Sequence, residues 1–467
     1  MNTTPRPFQA EDAKLAWEKF SGRCLVAEPV GSGKSMTALL VAYQHVEARP
    51  ILVVCPAGLK YNWAREAMVH FNWRAEILNG VKPEKTTSGW GLPKELLIVS
   101  YEILYAWVDM LTEYAPNLVI LDEVHRVSNP KARMTKVAKA LCRRIPYMIG
   151  LSGTPLVNRP ADLWPVLNML RPDLYPSRWA FYHAFCNMKR TPFGTWDYRG
   201  ASNLGELNKR LVTEVMIRRK KEDILKDLPP IQTNVISIPL ADRMEYDKAE
   251  DDFISWLCEQ DSGKLCGAVR AIGKTKLMTL RQLIGMQKVP AVGDWVESFL
   301  AESDDKLILY AVHLAVIREF YDRFKGRCVT VTGKVRGKKR QLCVDQFLGN
   351  KKTRLLIGQV KAAGEGWSAK GVADVAFAEY PWHPAGIEQC IGRCHGISRG
   401  IEGQHTTGHF LVAYGSVEDK QLALIDRKRK VIAAAIDGAE AGEDFSMFDE
   451  LVTLLRAGRK EGFCVAS

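Results

Sequence analysis

The chain has 467 residues, of which 47% are apolar and 25% charged. That length is enough for two or three domains with cores of their own, and the composition excludes a disordered or fibrous protein. The formal net charge of +12 favours a polyanionic partner, because each neutralised phosphate releases counterions, although the same excess also serves solubility.

Residues 1–6 carry no apolar signal-peptide core, and no apolar run reaches the roughly 20 residues a membrane-spanning helix needs. The eleven cysteines are scattered, which suits a reducing cytosol. Cys390, Cys394 and His395 have a spacing that could hold a metal. No second pair stands near to complete four ligands, so two buried thiols on a helix are the expectation.

In chain order, the first chemical signal is Glu28-Pro29-Val30-Gly31-Ser32-Gly33-Lys34-Ser35. It follows the short apolar stretch 24–27 and precedes a helical run at 36–43, the strand–loop–helix setting of a phosphate-binding loop. Gly31 and Gly33 let backbone N–H groups, that of Ser32 among them, face phosphate. Lys34 reaches the terminal phosphates, and Ser35 offers its hydroxyl to Mg²⁺. Glu28 stands where a glycine is usual.

Apolar runs follow at 51–55, 96–99, 118–121 and 147–151 in the first half, and at 307–310, 329–331, 355–357, 375–377 and 410–413 in the second. Continuous apolar runs of this length predict strands buried on both faces, the habit of parallel sheets joined by helices. The fold class is therefore α/β, with two lobes, each a mostly parallel sheet flanked by helices. The run at 118–121 ends in Asp122-Glu123-Val124-His125. Carboxylates at the C-terminal end of a buried parallel strand sit where ligands bind. Asp122 is expected to hold Mg²⁺ and Glu123 to polarise an attacking water as general base.

The Asp-Glu-x-His box resembles that of superfamily 2 helicases, and more closely that of Swi/Snf-type (SNF2-like) ATPases. Further matches run in order. Arg6-Pro7-Phe8-Gln9 resembles the adenine-reading Q motif, with Gln9 the contact. Residues 27–35 resemble the family's own loop, which also puts an acid in place of the first glycine. Cys55-Pro56-Ala57 with Asn62, Trp63 and Glu66 resembles motif Ia, Ser100-Tyr101-Glu102 motif Ib, and Ser152-Gly153-Thr154-Pro155 with Val157 and Asn158 motif III. Arg218, Arg219 and Leu228-Pro229 resemble the basic linker, and 306–313 motif IV. Thr332-Gly333, Arg340 and Phe347 fit the segment after it. Gly364-Glu365-Gly366-Trp367 resembles motif V. Gln389, Gly392, Arg393 and His395 resemble motif VI, although Gly396 stands where a second arginine is usual and Arg399 is the nearest substitute. The short lobes are similar to those of the annealing-helicase branch.

The resemblance implies two RecA-like lobes: residues 1–158 as the ATP-binding lobe, 159–300 as a helical insert and linker, 301–415 as the helicase C-terminal lobe, and 416–467 as a C-terminal helical extension. It implies ATP and Mg²⁺ as cofactors. Gln9, Gly31, Ser32, Gly33, Lys34, Ser35, Gly364, Gly366, Gln389 and Arg393 would bind ATP, with Lys34, Glu123 and Arg393 catalytic and Arg393 the arginine finger. His125, Ser152 and Thr154 would couple the ATP site to the track. Ser100, Thr332 and Gly333 would grip phosphates. Trp63 is placed there too, and Trp63 and Trp367 have base stacking or core packing as alternatives. The basic groups at 218–221, 334–340, 351–352 and 427–430 read as solvated faces or track. The partner expected is DNA, duplex or branched, with RNA left open; no membrane is expected, and a monomer is. The function expected is ATP-driven translocation on or remodelling of duplex DNA. A strand-separating helicase and a nucleotide-gated binding module with weak ATPase activity are the alternatives. A cytoplasmic protein of bacterial or phage origin, or a nuclear one in a eukaryote, fits this bare core.

Overall fold

A computed structural model describes residues 1–83, 95–156, 159–190, 194–198, 200–224, 231–260, 267–335, 337–364, 367, 369, 371–395, 405–437 and 446–463. Two parallel sheets organise these residues. The first has seven strands, in the order Ala75–Ile77, Leu96–Ser100, Ile51–Cys55, Leu118–Asp122, Tyr147–Leu151, Arg23–Val26, Met216–Ile217. The second has six, in the order Gln232–Ser237, Thr407–Val412, Asp374–Phe377, Leu307–Ala311, Leu355–Gln359, Cys328–Val331.

The central strands are the apolar runs of the sequence. Every residue of Ile51–Cys55, Leu96–Ser100 and Leu307–Ala311 is buried, because helices cover both faces of each sheet and alternate side chains feed separate cores. In the first sheet Leu52, Val54 and Leu97 pack on one face and Ile51, Val53 and Ile98 on the other. All strands of these two sheets are parallel, so their C-terminal ends lie along one edge of each sheet, and the chemistry-bearing residues follow those ends.

The stretch 159–300, expected from the sequence as a helical insert and linker, also supplies strands. Met216–Ile217 pairs with Arg23–Val26 of the first sheet, and Gln232–Ser237 with Thr407–Val412 of the second. Both are edge strands, and Gln232–Ser237 is largely exposed, so neither carries an apolar run. The rest of the stretch is mainly helical, including the helix Gly267–Glu302. Beyond the second sheet, the helix Val417–Asp437 runs back to the first lobe. There Asn208 Nδ2 donates to Ile436 O at 2.6 Å, and Arg218 pairs with Asp437 at 2.8 Å. Among the described residues no helix is long and apolar enough to cross a membrane.

Candidate functional site

The phosphate-binding loop leaves the end of Arg23–Val26 and enters the helix Lys34–Gln44. Gly31 and Gly33 take φ of +87° and +82°, values at which a Cβ would be strained. Lys34 Nζ donates to the carbonyls of Glu28 and Pro29, each at 3.0 Å. Burial of the ammonium lowers the Lys34 pKa, against the raising pull of Glu123, Glu28 and Asp122. Gln9 is anchored by Arg6 N and donates through Nε2 to Ser32 O at 3.2 Å, which ties the N-terminal helix to the loop.

Asp122 and Glu123 close the strand Leu118–Asp122. Glu123 sits at φ 48°, ψ 52°, a left-handed conformation that a non-glycine residue adopts at a cost. Its backbone N–H donates to Asp122 Oδ1 at 2.9 Å. Burial, and then the charge of Glu123, push Asp122 up to about 6, while Trp63 and Lys34 oppose the shift. His125 Nδ1 lies 3.4 Å from Glu123 Oε2 and 3.2 Å from Ser152 Oγ, which also accepts the Thr154 N–H at 3.2 Å. The three residues expected to couple thus form one chain leading away from Glu123. Behind Ser35 lies Glu66, whose carboxyl takes hydrogen bonds from Asn62 and Ser35 and is raised by burial.

From the second lobe, Arg393 donates through Nη1 to Trp367 O at 3.0 Å and through Nε to Gln389 O at 3.3 Å. Its guanidinium is thereby aimed by carbonyls rather than neutralised by a carboxylate. A cleft of about 400 Å³ is lined by Gly31, Lys34, Ser35 and Glu123 of the first lobe and Trp367 and Arg393 of the second. That volume suits a nucleotide-sized ligand. Val30 at the loop tip is the wedge between the lobes. A Cβ on Gly153 would meet Val30 Cγ2 at 2.7 Å, and one on Gly392 would meet Val30 Cγ1 at 2.5 Å. Glycine at 153 seats Val30 within the first lobe, and glycine at 392 lets the second lobe approach it.

Several expected residues stand elsewhere. Trp63 is 1% exposed and its indole N–H donates to Asp122 Oδ2 at 2.8 Å. It orients a carboxylate and cannot stack on a base. Ser100 is 2% exposed, so its hydroxyl does not face a strand in this arrangement. Gly364 does not line the cleft; its Cα faces Val360 O and Cys390 Sγ, with no room for a Cβ. Gln389 meets Arg393 through its carbonyl and likewise does not line the cleft. Thr332 is half-buried and Gly333 exposed, with the Gly333 N–H on Gln359 Oε1 at 3.1 Å. Val157, Asn158, Glu365, Gly366, Gly396 and Arg399 lie outside the described residues. In the basic linker, Arg218 donates to Ala27 O and pairs with Asp437, and Arg219 pairs with Asp12 and Glu11. Arg218 thus holds the strand end at the base of the loop, and Arg219 holds the N-terminal helix.

The sequence reading missed Glu28 as a structural part of the loop. It is fully buried beneath it, accepts the Ser32 hydroxyl at 3.0 Å and lies beside Asp12. An acid in a glycine position was the available signal.

Comparison with known proteins matches residues 13–254 to the SNF2-related domain and residues 288–398 to the helicase conserved C-terminal domain. The chain is 28% identical over 473 residues to the DNA annealing helicase and endonuclease ZRANB3 of Bos taurus, covering 96% of this chain and 43% of that protein. It is 27% identical to the SWI/SNF-related matrix-associated actin-dependent regulator of chromatin subfamily A-like protein 1 of Xenopus tropicalis, covering 92% and 44%. The chain therefore spans less than half the length of these curated relatives. They are animal proteins and give no support to a bacterial or phage origin. A solved structure titled Sulfolobus solfataricus SWI2/SNF2 ATPase core in complex with dsDNA is 20% identical, covers 93% of this chain and 94% of that one, and has a TM-score of 0.42.

Proposed function

The chain belongs to the SNF2-related family of helicase-type ATPases, and on that premise we propose that it hydrolyses ATP to move along duplex DNA. One observation carries the reading: Lys34, Asp122 and Glu123 of one lobe and Arg393 of the other border the same cleft. A site divided in this way completes itself only when the lobes close. Nucleotide that binds the closed form better shifts the population toward it, and product release shifts it back.

In this reading the backbone of Gly31, Ser32 and Gly33 cradles the phosphates, and Lys34 leaves its two carbonyls to pair with them. Glu123 orients and deprotonates the attacking water, and Arg393 meets the charge that grows on the transferred phosphoryl group. The residues present suit Mg²⁺. Ser35 and Asp122 offer hard oxygen ligands, and the burial of Asp122 beside the charge of Glu123, which together raise it, favours a nearby cation. When bound, such a cation would supply positive charge to offset that of the phosphates. His125, Ser152 and Thr154 lead from Glu123 toward the lobe boundary and would report the state of the nucleotide. Thr332 and Gly333 remain as phosphate contacts of the second lobe.

The relatives' names favour DNA over RNA, and the family favours tracking over strand separation. The test is the ATPase rate with no nucleic acid, blunt duplex DNA, single-stranded DNA and RNA, beside triplex-displacement and fork-unwinding assays. Stimulation by blunt duplex with triplex displacement and no unwinding is expected. A rate indifferent to every nucleic acid would leave only a nucleotide-gated binding module.

A further inference from the structure

Two tryptophans far from the ATP cleft are exposed, Trp179 at 45% and Trp196 at 43%. They sit on the helical part that follows the first sheet. Trp179 and His183 lie one turn apart on the helix Arg178–Phe185, so they share a face. Trp196 closes on His183 edge-to-face with ring centroids 5.7 Å apart. Trp196 belongs to a two-stranded ribbon in which Arg190 is its cross-strand partner. Trp179 meets the Tyr182 ring at 6.5 Å, and Tyr182 stacks on Tyr198 at 4.8 Å.

Cations accompany the rings. The Arg178 guanidinium lies 5.6 Å from the Trp179 ring and 5.9 Å from Tyr182, and Arg159 lies 6.0 Å from Tyr198. Lys189 and Arg190 are exposed beside Trp196, with Asp197 opposite Lys189 as the one carboxylate of the ribbon's paired residues. Arg159 is also a wall of a cavity of about 520 Å³ between the lobes, which Arg270, Lys274, Trp382, His383 and Lys428 help to line. The aromatic patch therefore continues into a recess at the lobe boundary, where Arg159 also pairs with Asp162 at 3.3 Å and Arg270 with Asp449 at 2.8 Å.

If these rings served only to fasten the ribbon to its helix, they would be covered, as Phe181 and Phe185 are beneath them. Exposed flat rings interleaved with arginines match the needs of unpaired nucleic-acid bases. Each base stacks on a ring whatever its identity, and the neighbouring phosphates meet the cations. We propose that Trp179 and Trp196, with Arg178, Arg190 and Arg159, form a stacking surface for an unpaired DNA strand. The motor then holds duplex carrying a single-stranded tail more tightly than blunt duplex. This rests on the reading of the chain as a DNA motor.

The test is fluorescence anisotropy with the full chain and three probes: a blunt duplex, the same duplex with a single-stranded DNA tail, and the same with an RNA tail. Wild type is expected to prefer the tailed DNA. W179A/W196A should weaken tailed-DNA binding roughly tenfold, change blunt-duplex binding less than about twofold, and W179F/W196F should restore most of it. R178E/R190E, which keeps both rings and so guards against a folding defect, should weaken tailed-DNA binding by a similar factor. The proposal is overturned by equal losses on blunt and tailed DNA, by no loss, by a wild type that does not distinguish them, or by an effect confined to the RNA tail. A wild type whose ATPase ignores blunt duplex would instead break the motor reading. Normal duplex stimulation without tail preference breaks only this one.

Discussion

The two lobes share an architecture and divide the chemistry unequally. In the first, the nucleotide site is built from residues that hold one another: Lys34 on the loop carbonyls, Trp63 on Asp122, Glu66 behind Ser35 and His125 on Ser152. In the second, one guanidinium is presented to the same cleft, fixed among the described residues by the carbonyls of Trp367 and Gln389. A lobe organised in this way can bind nucleotide on its own, whereas a lone cation contributes only when the cleft is closed around developing charge. The difference teaches where binding and rate should separate.

The largest expected effect tests that separation. R393A should lower DNA-stimulated turnover by roughly 10³–10⁵, the range of arginine fingers, while nucleotide affinity measured by fluorescent-analogue titration stays within a few-fold. Equal losses of affinity and rate would mean that the second lobe also holds the ground state, and the comparison would fail. Next comes E123Q, which keeps the shape but not the base. Single-turnover hydrolysis should fall by roughly 10²–10⁴ with ATP still bound. Near-normal hydrolysis in that variant would remove Glu123 from the role proposed for it.

The central strands were legible because burial on both faces demands unbroken apolar runs; 51–55 and 147–151 match the observed strands end for end. Of the edge strands, Cys328–Val331 was legible as the run 329–331 because it is mostly buried, and the others were not. Gln232–Ser237 is largely exposed, and Met216–Ile217 is two residues long. At the site, Lys34, Ser35, Asp122, Glu123 and Arg393, which short motifs had singled out, border one cleft. What could not be read was a second role for a familiar residue type. Trp63 looks like a stacking ring until the strand end beneath it shows a carboxylate waiting for its N–H. Glycines 153 and 392 were placed only as members of motifs III and VI, and the sequence holds no sign that Val30 packs against both.

That wedge gives a smaller effect. In G392A the new methyl group would fall 2.5 Å from Val30 Cγ1, and overpacking of this kind should slow DNA-stimulated turnover about tenfold by opposing closure. V30A should recover part of the loss in the double variant, because it removes the closest methyl but leaves the Val30 Cβ 2.8 Å from the new one. ATPase rates of the four combinations give the coupling between the lobes directly. Additive effects would show that Val30 and Gly392 do not meet during turnover.

The last effect, on stability rather than rate, sets one buried carboxylate of each lobe against the other. Burial, and then Asp12, raise Glu28 to about 8, against Lys34 and the Ser32 hydroxyl. Glu379 of the second lobe is buried too, but His313 and the N–H groups of Val312 and His313 outweigh that burial and lower it. An unfolded glutamate ionises near about 4.3. Between there and about 8, folded Glu28 keeps a proton that the unfolded chain has lost, so its contribution to stability declines as pH rises through that window and levels off above it. Glu379 has the opposite sign: its contribution is present above about 4.3 and is lost as pH falls through its lowered value. In denaturant unfolding, the advantage of wild type over E28Q should therefore shrink by about 1–3 kcal/mol from about pH 5 to about pH 8.5, because glutamine mimics the protonated acid. The advantage over E379Q should hold across that range and narrow only in acid. Two differences that run in parallel with pH would mean that the lobes treat their buried acids alike.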